Sequence, residues 1–304
     1  MLRKLFFLSL VCLFCLSTNA FARDKLKVVT TLSTFADLVR QIAGDYAEVR
    51  PISPGIFNPH FYEPKPSDIL KTRKADLFVH AGLDLELWRF PLVDAAGNPD
   101  IFPGAKNELD LSKGISLLEA PQKQPTRLEG DIHIYGNPHY WVDPRNGKIM
   151  AENIAVKLKE LAPEHSDYFD KNLNEFLNKL DEKITYWEAE LKVVKGKEVV
   201  AYHNEWIYFT EFAGIKLIRY LEPKPGIPPT PKHLAFMEEY IKKNNIRGII
   251  QPTYFPKDYS EALAGKVGVK VVILAQNVGE IPEANDYFSF FDFNVEKLKE
   301  AFTE

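Results

Sequence analysis

The sequence predicts an α/β protein of two lobes, each a mostly parallel sheet flanked by helices, joined by one long rigid helix. Three observations predict it. Short apolar strand candidates alternate with amphipathic segments before residue 163 and again after residue 194. Between them one apolar stripe keeps helical spacing with no Gly or Pro. The length, 304 residues, exceeds what one typical domain needs. The expected division is residues 1–22 as a signal segment, 23–163 as the first lobe, 164–193 as the linking helix and 194–304 as the second lobe.

Residues 1–22 have the three parts of an export signal. Arg3 and Lys4 form a basic end, Leu5 to Leu16 is apolar except for Ser9, and Ala20-Phe21-Ala22 supplies small residues for cleavage after Ala22. The apolar run is shorter than the roughly 20 residues a membrane span needs. Phe14 is too large to precede a lipid-modified Cys15. Cleavage removes Cys12 and Cys15, the two cysteines of the chain, so no disulfide, thiolate site or Cys nucleophile is expected in the mature protein. It also removes Arg3 and Lys4 from the 38 basic residues, moving the net charge from −4 to −6. That balance argues against a nucleic-acid partner, which demands surplus positive charge. A mean hydropathy of −0.22 excludes a polytopic membrane protein. The expected location is therefore outside the cytoplasm, as a soluble periplasmic protein.

Lys25 to Thr31 reads as the opening strand. Ser33 or Thr34 is expected to cap a helix whose Phe35, Leu38, Val39 and Ile42 share one face, with Gly44 as its stop. Glu48 to Ile52 is a second strand, and Ser53 to Pro66, rich in Pro and Gly, an ordered loop. Ser67 is expected to cap a short helix before a buried strand at Ala75 to His80. Residues 94–136 read as surface excursions. Asn146 to Val193 is helical, broken at Pro163. Its second part, marked by Phe169, Leu173, Phe176, Leu180, Ile184, Trp187 and Leu191, spans about 27 residues, or roughly 40 Å. The second series has strands at Glu198–Tyr202, Ile215–Tyr220, Gly248–Gln251 and Lys270–Leu274. Its helices are Pro231–Asn244, Lys257–Val267 and a closing Asn294–Phe302.

Of seven histidines, three lie at loop starts or strand ends, where α/β folds gather ligand groups. His60 and His139 each follow Asn-Pro, which restricts the backbone. His203 ends a predicted strand. With no cysteine to share the work, three such imidazoles point to a metal, zinc above other first-row ions. No spacing matches a helical zinc motif such as His-Glu-x-x-His. His80 reads as structural, His165 and His233 as solvated, and His133 as an exposed or packed loop residue, with transient metal capture as its lesser reading.

Several stretches together resemble the solute-binding proteins of ABC-type zinc and manganese importers over nearly all of the mature chain. Gly55 to Pro64 with Pro66-Ser67-Asp68 is similar to that family's first ligand loop. Ala75-Asp76-Leu77, Gly82 and Glu86-Leu87-Trp88 resemble the strand and turn after it. Gly136-Asn137-Pro138-His139-Tyr140-Trp141-Val142-Asp143-Pro144 resembles the second ligand motif, and Tyr202-His203 the third.

The resemblance implies a metal in the cleft between lobes, with His60 and His139 from the first lobe and His203 from the second. Manganese-selective relatives tend to carry a carboxylate at the third position, so His203 points to Zn2+ as the transported ligand, ahead of Mn2+. It further implies a divalent-ion carrier that is no enzyme, acts as a monomer and delivers its ion to a membrane permease. The sequence departs from the family at Gln276, where an Asp is common as fourth ligand, and at Gln251, where a Glu is common. The fourth position is left to Gln276, water, Glu205 or Glu63, and Glu205, Asp143 or Glu63 is expected to offset the ion's charge. Alternatives are a manganese- or other metal-binding member of the same family, a secreted zinc hydrolase with Glu205 as base, or an adhesin.

Overall fold

A computed structural model of the chain describes residues 25–120, 133–224 and 226–303. The cleavage site after Ala22 and both cysteines lie outside the described residues. The first sheet holds β1 (Leu26–Leu32), β2 (Ala47–Ser53), β3 (Leu77–His80) and β4 (Glu108–Asp110), in the order β2-β1-β3-β4. The second holds β5 (Glu198–Ala201), β6 (Lys216–Tyr220), β7 (Gly248–Gln251) and β8 (Lys270–Ile273), in the order β6-β5-β7-β8. Every pairing within both sheets is parallel. The two sheets thus repeat one topology, with the first-entering strand second from an edge. Strands β3 and β7 are buried at every position, as parallel strands covered on both faces must be.

The helices are α1 (Ser33–Ala43), α2 (Pro66–Arg73), α3 (Arg89–Ala96), α4 (Pro144–Leu161), α5 (Ser166–Glu190), α6 (Ile207–Ala213), α7 (Pro231–Asn244), α8 (Lys257–Val267) and α9 (Tyr287–Thr303). The long helix α5 has 25 residues, about 37 Å at 1.5 Å per residue. It packs along α1 and α4 on one side and α9 on the other. One continuous apolar core runs from Val28 and Leu77 of the first sheet, through Phe35, Trp141, Phe169 and Trp187, to Val199, Ile250 and Phe291 of the second half. Two smaller cores cover the outer faces, one around Phe78 and Trp88, the other around Val200 and Ile249. The halves therefore share a dry layer, and parting them widely would expose it at about 25 cal/mol per Å². Among the described residues no helix is long and apolar enough to cross a membrane.

Several local expectations need correction. Ser33 and Thr34 do not cap α1. Instead the Ser33 hydroxyl donates to the Val278 carbonyl at 2.6 Å, and Thr34 Oγ1 accepts the Val278 N–H at 3.0 Å, tying the two halves together. Ser67 does not cap α2 either. Lys65 holds the N-cap position, and Asp68 accepts its N–H at 2.9 Å. Residues 94–120 are more ordered than expected, because β4 adds an edge strand of only three residues, too short to show periodicity. Helix α9 starts at Tyr287, seven residues before the predicted start, because its first two turns, rich in Phe, are buried on several sides and carry no amphipathic period. His165 is only partly exposed, its ring stacked on Tyr46 with centroids 3.7 Å apart. His233 reaches the Tyr220 carbonyl at 3.3 Å. His80 is structural as expected, buried and 2.8 Å from Glu108.

Candidate metal centre

The carboxyl ends of the parallel strands point into one cleft between the sheets, the usual ligand position of such folds. The loop after β2 carries His60, the residue two beyond β5 is His203, and the turn before α4 carries His139. The two Asn-Pro-His segments fold alike. Asn58 Oδ1 accepts the His60 N–H at 3.0 Å, and Asn137 Oδ1 accepts the His139 N–H at 3.1 Å. Each is an Asx turn that fixes the direction in which the following histidine leaves the backbone. The Trp88 indole N–H donates to the Pro59 carbonyl at 2.7 Å and pins the first of these turns.

These turns bring His60 Nε2 and His139 Nε2 to 2.9 Å from each other. The His203 ring lies 5.4 Å from that of His60 and 5.6 Å from that of His139, centre to centre. Its Nε2 is buried and makes no hydrogen bond. The three predicted imidazoles thus converge from both halves of the molecule. A fourth joins them: His133 stacks on His60 with centroids 5.1 Å apart, and nitrogens of His60, His133 and His139 all lie within 4.8 Å of one another. The sequence reads His133 as a loop residue with transient metal capture only as the lesser reading, and no spacing rule places it, because it neighbours His60 in space but is 73 positions away in sequence.

Each of three rings is oriented from behind. His139 Nδ1 donates to Asn137 Oδ1 at 2.9 Å, His203 Nδ1 to Glu222 Oε2 at 2.8 Å, and His133 Nδ1 to Asp84 Oδ1 at 2.7 Å. An Nδ1–H engaged this way leaves the lone pair on Nε2, facing the cluster. In the 2.9 Å contact His139 Nε2 accepts from His60 Nε2, so a cation bound at that atom requires the neutral ring of His60 to carry its proton on Nδ1 instead. Burial, then the neighbouring imidazoles, holds both His60 and His139 well below the usual histidine range, so both are neutral at pH 7. Neutral, buried nitrogen donors suit a borderline-soft divalent ion.

The offsetting carboxylates differ from those expected. Glu63 is exposed, and Asp143 caps α4 while paired with Arg145. Glu205 is buried, its Oε2 lies 2.6 Å from the Tyr254 hydroxyl and accepts from Gln276 Nε2 at 3.0 Å, and burial raises its pKa well above the ordinary carboxylate value. Gln276, expected beside the ion, has its amide oxygen taken by the Tyr254 hydroxyl at 2.5 Å. The carboxylates behind the rings are Asp84 and Glu222. Glu222 was legible in principle. In the β5–β6 register Ala201 pairs with Tyr220, so His203 and Glu222, each two residues further, emerge side by side. Gln251 is buried at the end of β7 and donates to the Phe255 carbonyl.

Residues 28–301 match the family described as zinc-uptake complex component A, periplasmic. The chain is 26% identical to the high-affinity zinc uptake system protein ZnuA of Bacillus subtilis over 285 residues, 91% of this chain and 88% of that protein. It is 28% identical to the manganese ABC transporter substrate-binding lipoprotein PsaA of Streptococcus pneumoniae, covering 91% and 89%. A crystal structure of ZnuA superposes with a TM-score of 0.77 at 25% identity, covering 92% of this chain and all of that one. FpvC of Pseudomonas aeruginosa, solved with Mn2+, shares the fold with a TM-score of 0.78 at 23% identity, covering 92% and 98%. With nine-tenths of its length matched and its histidines gathered in the cleft, the chain belongs to the zinc-uptake complex component A family of periplasmic metal-binding proteins.

Proposed function

We propose that this protein captures a divalent metal ion outside the cytoplasm, zinc before others, and delivers it to an ABC-type membrane permease. The observation that carries the reading is the convergence of His60, His139 and His203 from separate parts of the chain, with His203 Nε2 buried and unpaired. A buried polar atom without a partner costs about 1–3 kcal/mol, a cost that a bound ion removes. Nitrogen donors favour zinc, whereas manganese prefers oxygen and higher coordination. Relatives named for zinc and for manganese both occur, so manganese is the second reading, and competition titration with the two ions separates them.

The residues in this role are His60, His139 and His203, with Gln276 held nearby in the Glu205–Tyr254 network. The lobes are 23–163 and 194–304, joined by 164–193, and they close only slightly because α5 and its neighbours share the central core. The protein acts as a monomer and has no catalytic role: Glu205, the one candidate base, is buried and hydrogen-bonded to Gln276 within its own lobe. The exported, periplasmic location rests on the export signal at 1–22 together with the family description.

The test is zinc titration of metal-stripped protein against a competing chelator. One ion per chain should bind, and His139→Ala should lose most of that affinity. Equal binding by His139→Ala would sink the reading.

A further inference from the structure

We infer that His133 is the fourth ligand of the bound ion, completing a sphere of four imidazoles, His60, His133, His139 and His203. The inference rests on the metal-capture reading above and goes beyond it by naming a ligand that none of the sequence motifs supplies. Four observations carry it. The Nε2 of His133 is buried and without a hydrogen-bond partner, as is that of His203. The ring sits against His60 and 5.8 Å from His139, centre to centre, within the nitrogen cluster. Asp84 holds it from behind through both oxygens. Oδ1 accepts the His133 Nδ1–H at 2.7 Å and Oδ2 accepts the Ile134 N–H at 2.9 Å, so ring and backbone are fixed together. Finally, the side chain that the family pattern would put at the fourth position is engaged elsewhere: the Gln276 amide gives its N–H to Glu205 and its oxygen to Tyr254.

Three of the four rings already form the group, and His203 Nε2 has to close on it. A tetrahedral zinc with Zn–N of about 2.0–2.1 Å has edges of roughly 3.3–3.4 Å between nitrogens. His60 and His139, now 2.9 Å apart, open slightly, while the 4.8 Å bound on the three-nitrogen group contracts. Four neutral donors leave the ion's charge of +2 uncompensated in the first layer. Asp84 behind His133 and Glu222 behind His203 supply two negative charges one bond further out, each through an imidazole. Charge and donor softness together define a zinc site with no oxygen ligand, which discriminates against manganese.

The experiment is zinc-edge X-ray absorption on the zinc-loaded protein and on His133→Ala, with zinc affinities by chelator competition and thermal stability of each stripped protein. Four imidazoles in the unaltered protein, three in His133→Ala, and an affinity lower by more than about tenfold support the assignment. Asp84→Asn keeps the ring but alters its support, and should weaken binding by less than His133→Ala. Three imidazoles plus oxygen in the unaltered protein, or undiminished affinity in a stably folded His133→Ala, overturn it. If His139→Ala loses zinc while His133→Ala does not, this inference alone fails. If the unaltered protein takes up no zinc, or His139→Ala binds as well as it does, the capture reading fails as well.

Discussion

Glu222 offers a direct test of how the scaffold prepares His203. Its carboxylate accepts the His203 Nδ1–H at 2.8 Å, and both side chains are only 6% exposed, so solvent cannot replace the contact. Glu222→Ala leaves a buried N–H without its acceptor and frees the ring to change tautomer and orientation. Hydrogen bonds to a charged group are worth about 1.5–3 kcal/mol. Removing the partner behind a metal-binding histidine lowers affinity by about 10–100-fold. The two scales agree, since that range is about 1.4–2.7 kcal/mol. Glu222→Gln retains an acceptor oxygen but not the charge, so its loss should be smaller, about tenfold or less. The assay is chelator competition for zinc on stripped, folded protein, with the unaltered chain and both variants side by side. Zinc binding by Glu222→Ala as tight as by the unaltered protein would refute the idea that this carboxylate sets the ligand's geometry.

Two further outcomes are expected. His60 and His139 are held below their unfolded value of about 6.5, so the unfolded chain binds protons that the folded chain refuses as the pH falls. The stripped protein's stability contribution from these groups is therefore full above about pH 6.5 and declines below it, down to the folded-state values; thermal melts from about pH 8 to about pH 5 should show it. A His60→Asn, His139→Asn double variant should flatten that slope, and an unchanged slope would count against the cause given. Gly147, in the first turns of α4, faces Tyr287: a Cβ there would stand 2.0 Å from the tyrosine hydroxyl and 2.8 Å from the ring carbon bearing it. Gly147→Ala should destabilise by about 1–3 kcal/mol despite its better helix propensity. Tyr287→Phe should recover part of the loss in a double-mutant cycle of denaturant melts, and simple additivity would contradict the overlap.

Much of the architecture was readable along the chain because its causes are local. Apolar runs of four or five residues between helical stripes dictate strands buried on both faces, as in β3 and β7. The helices Pro231–Asn244 and Lys257–Val267 appear with the predicted bounds because Pro, Asn and Gly punctuate their ends. Turn chemistry and strand ends single out three of the four clustered histidines, and the family resemblance adds their role as ligands. One miss has a long-range cause. Ser33 and Thr34 have hydroxyls that suit a cap, yet they bind the 277–278 turn of the other half, a partner more than 240 residues away.

Sequence alone determined the two-sheet alternation, the long helix, the absence of surplus positive charge and the placing of His60, His139 and His203 in rigid turns or at strand ends. Tertiary structure decided which groups face the same point. It put His133 beside His60, placed Asp84 and Glu222 behind their rings, and drew Gln276 and Glu205 into a separate hydrogen-bonded network. The reason is physical. Periodicity and turn propensity act over a few neighbouring residues, whereas a coordination sphere depends on loops of different strands meeting in a cleft. Their relative positions are set by sheet register and by the shared core.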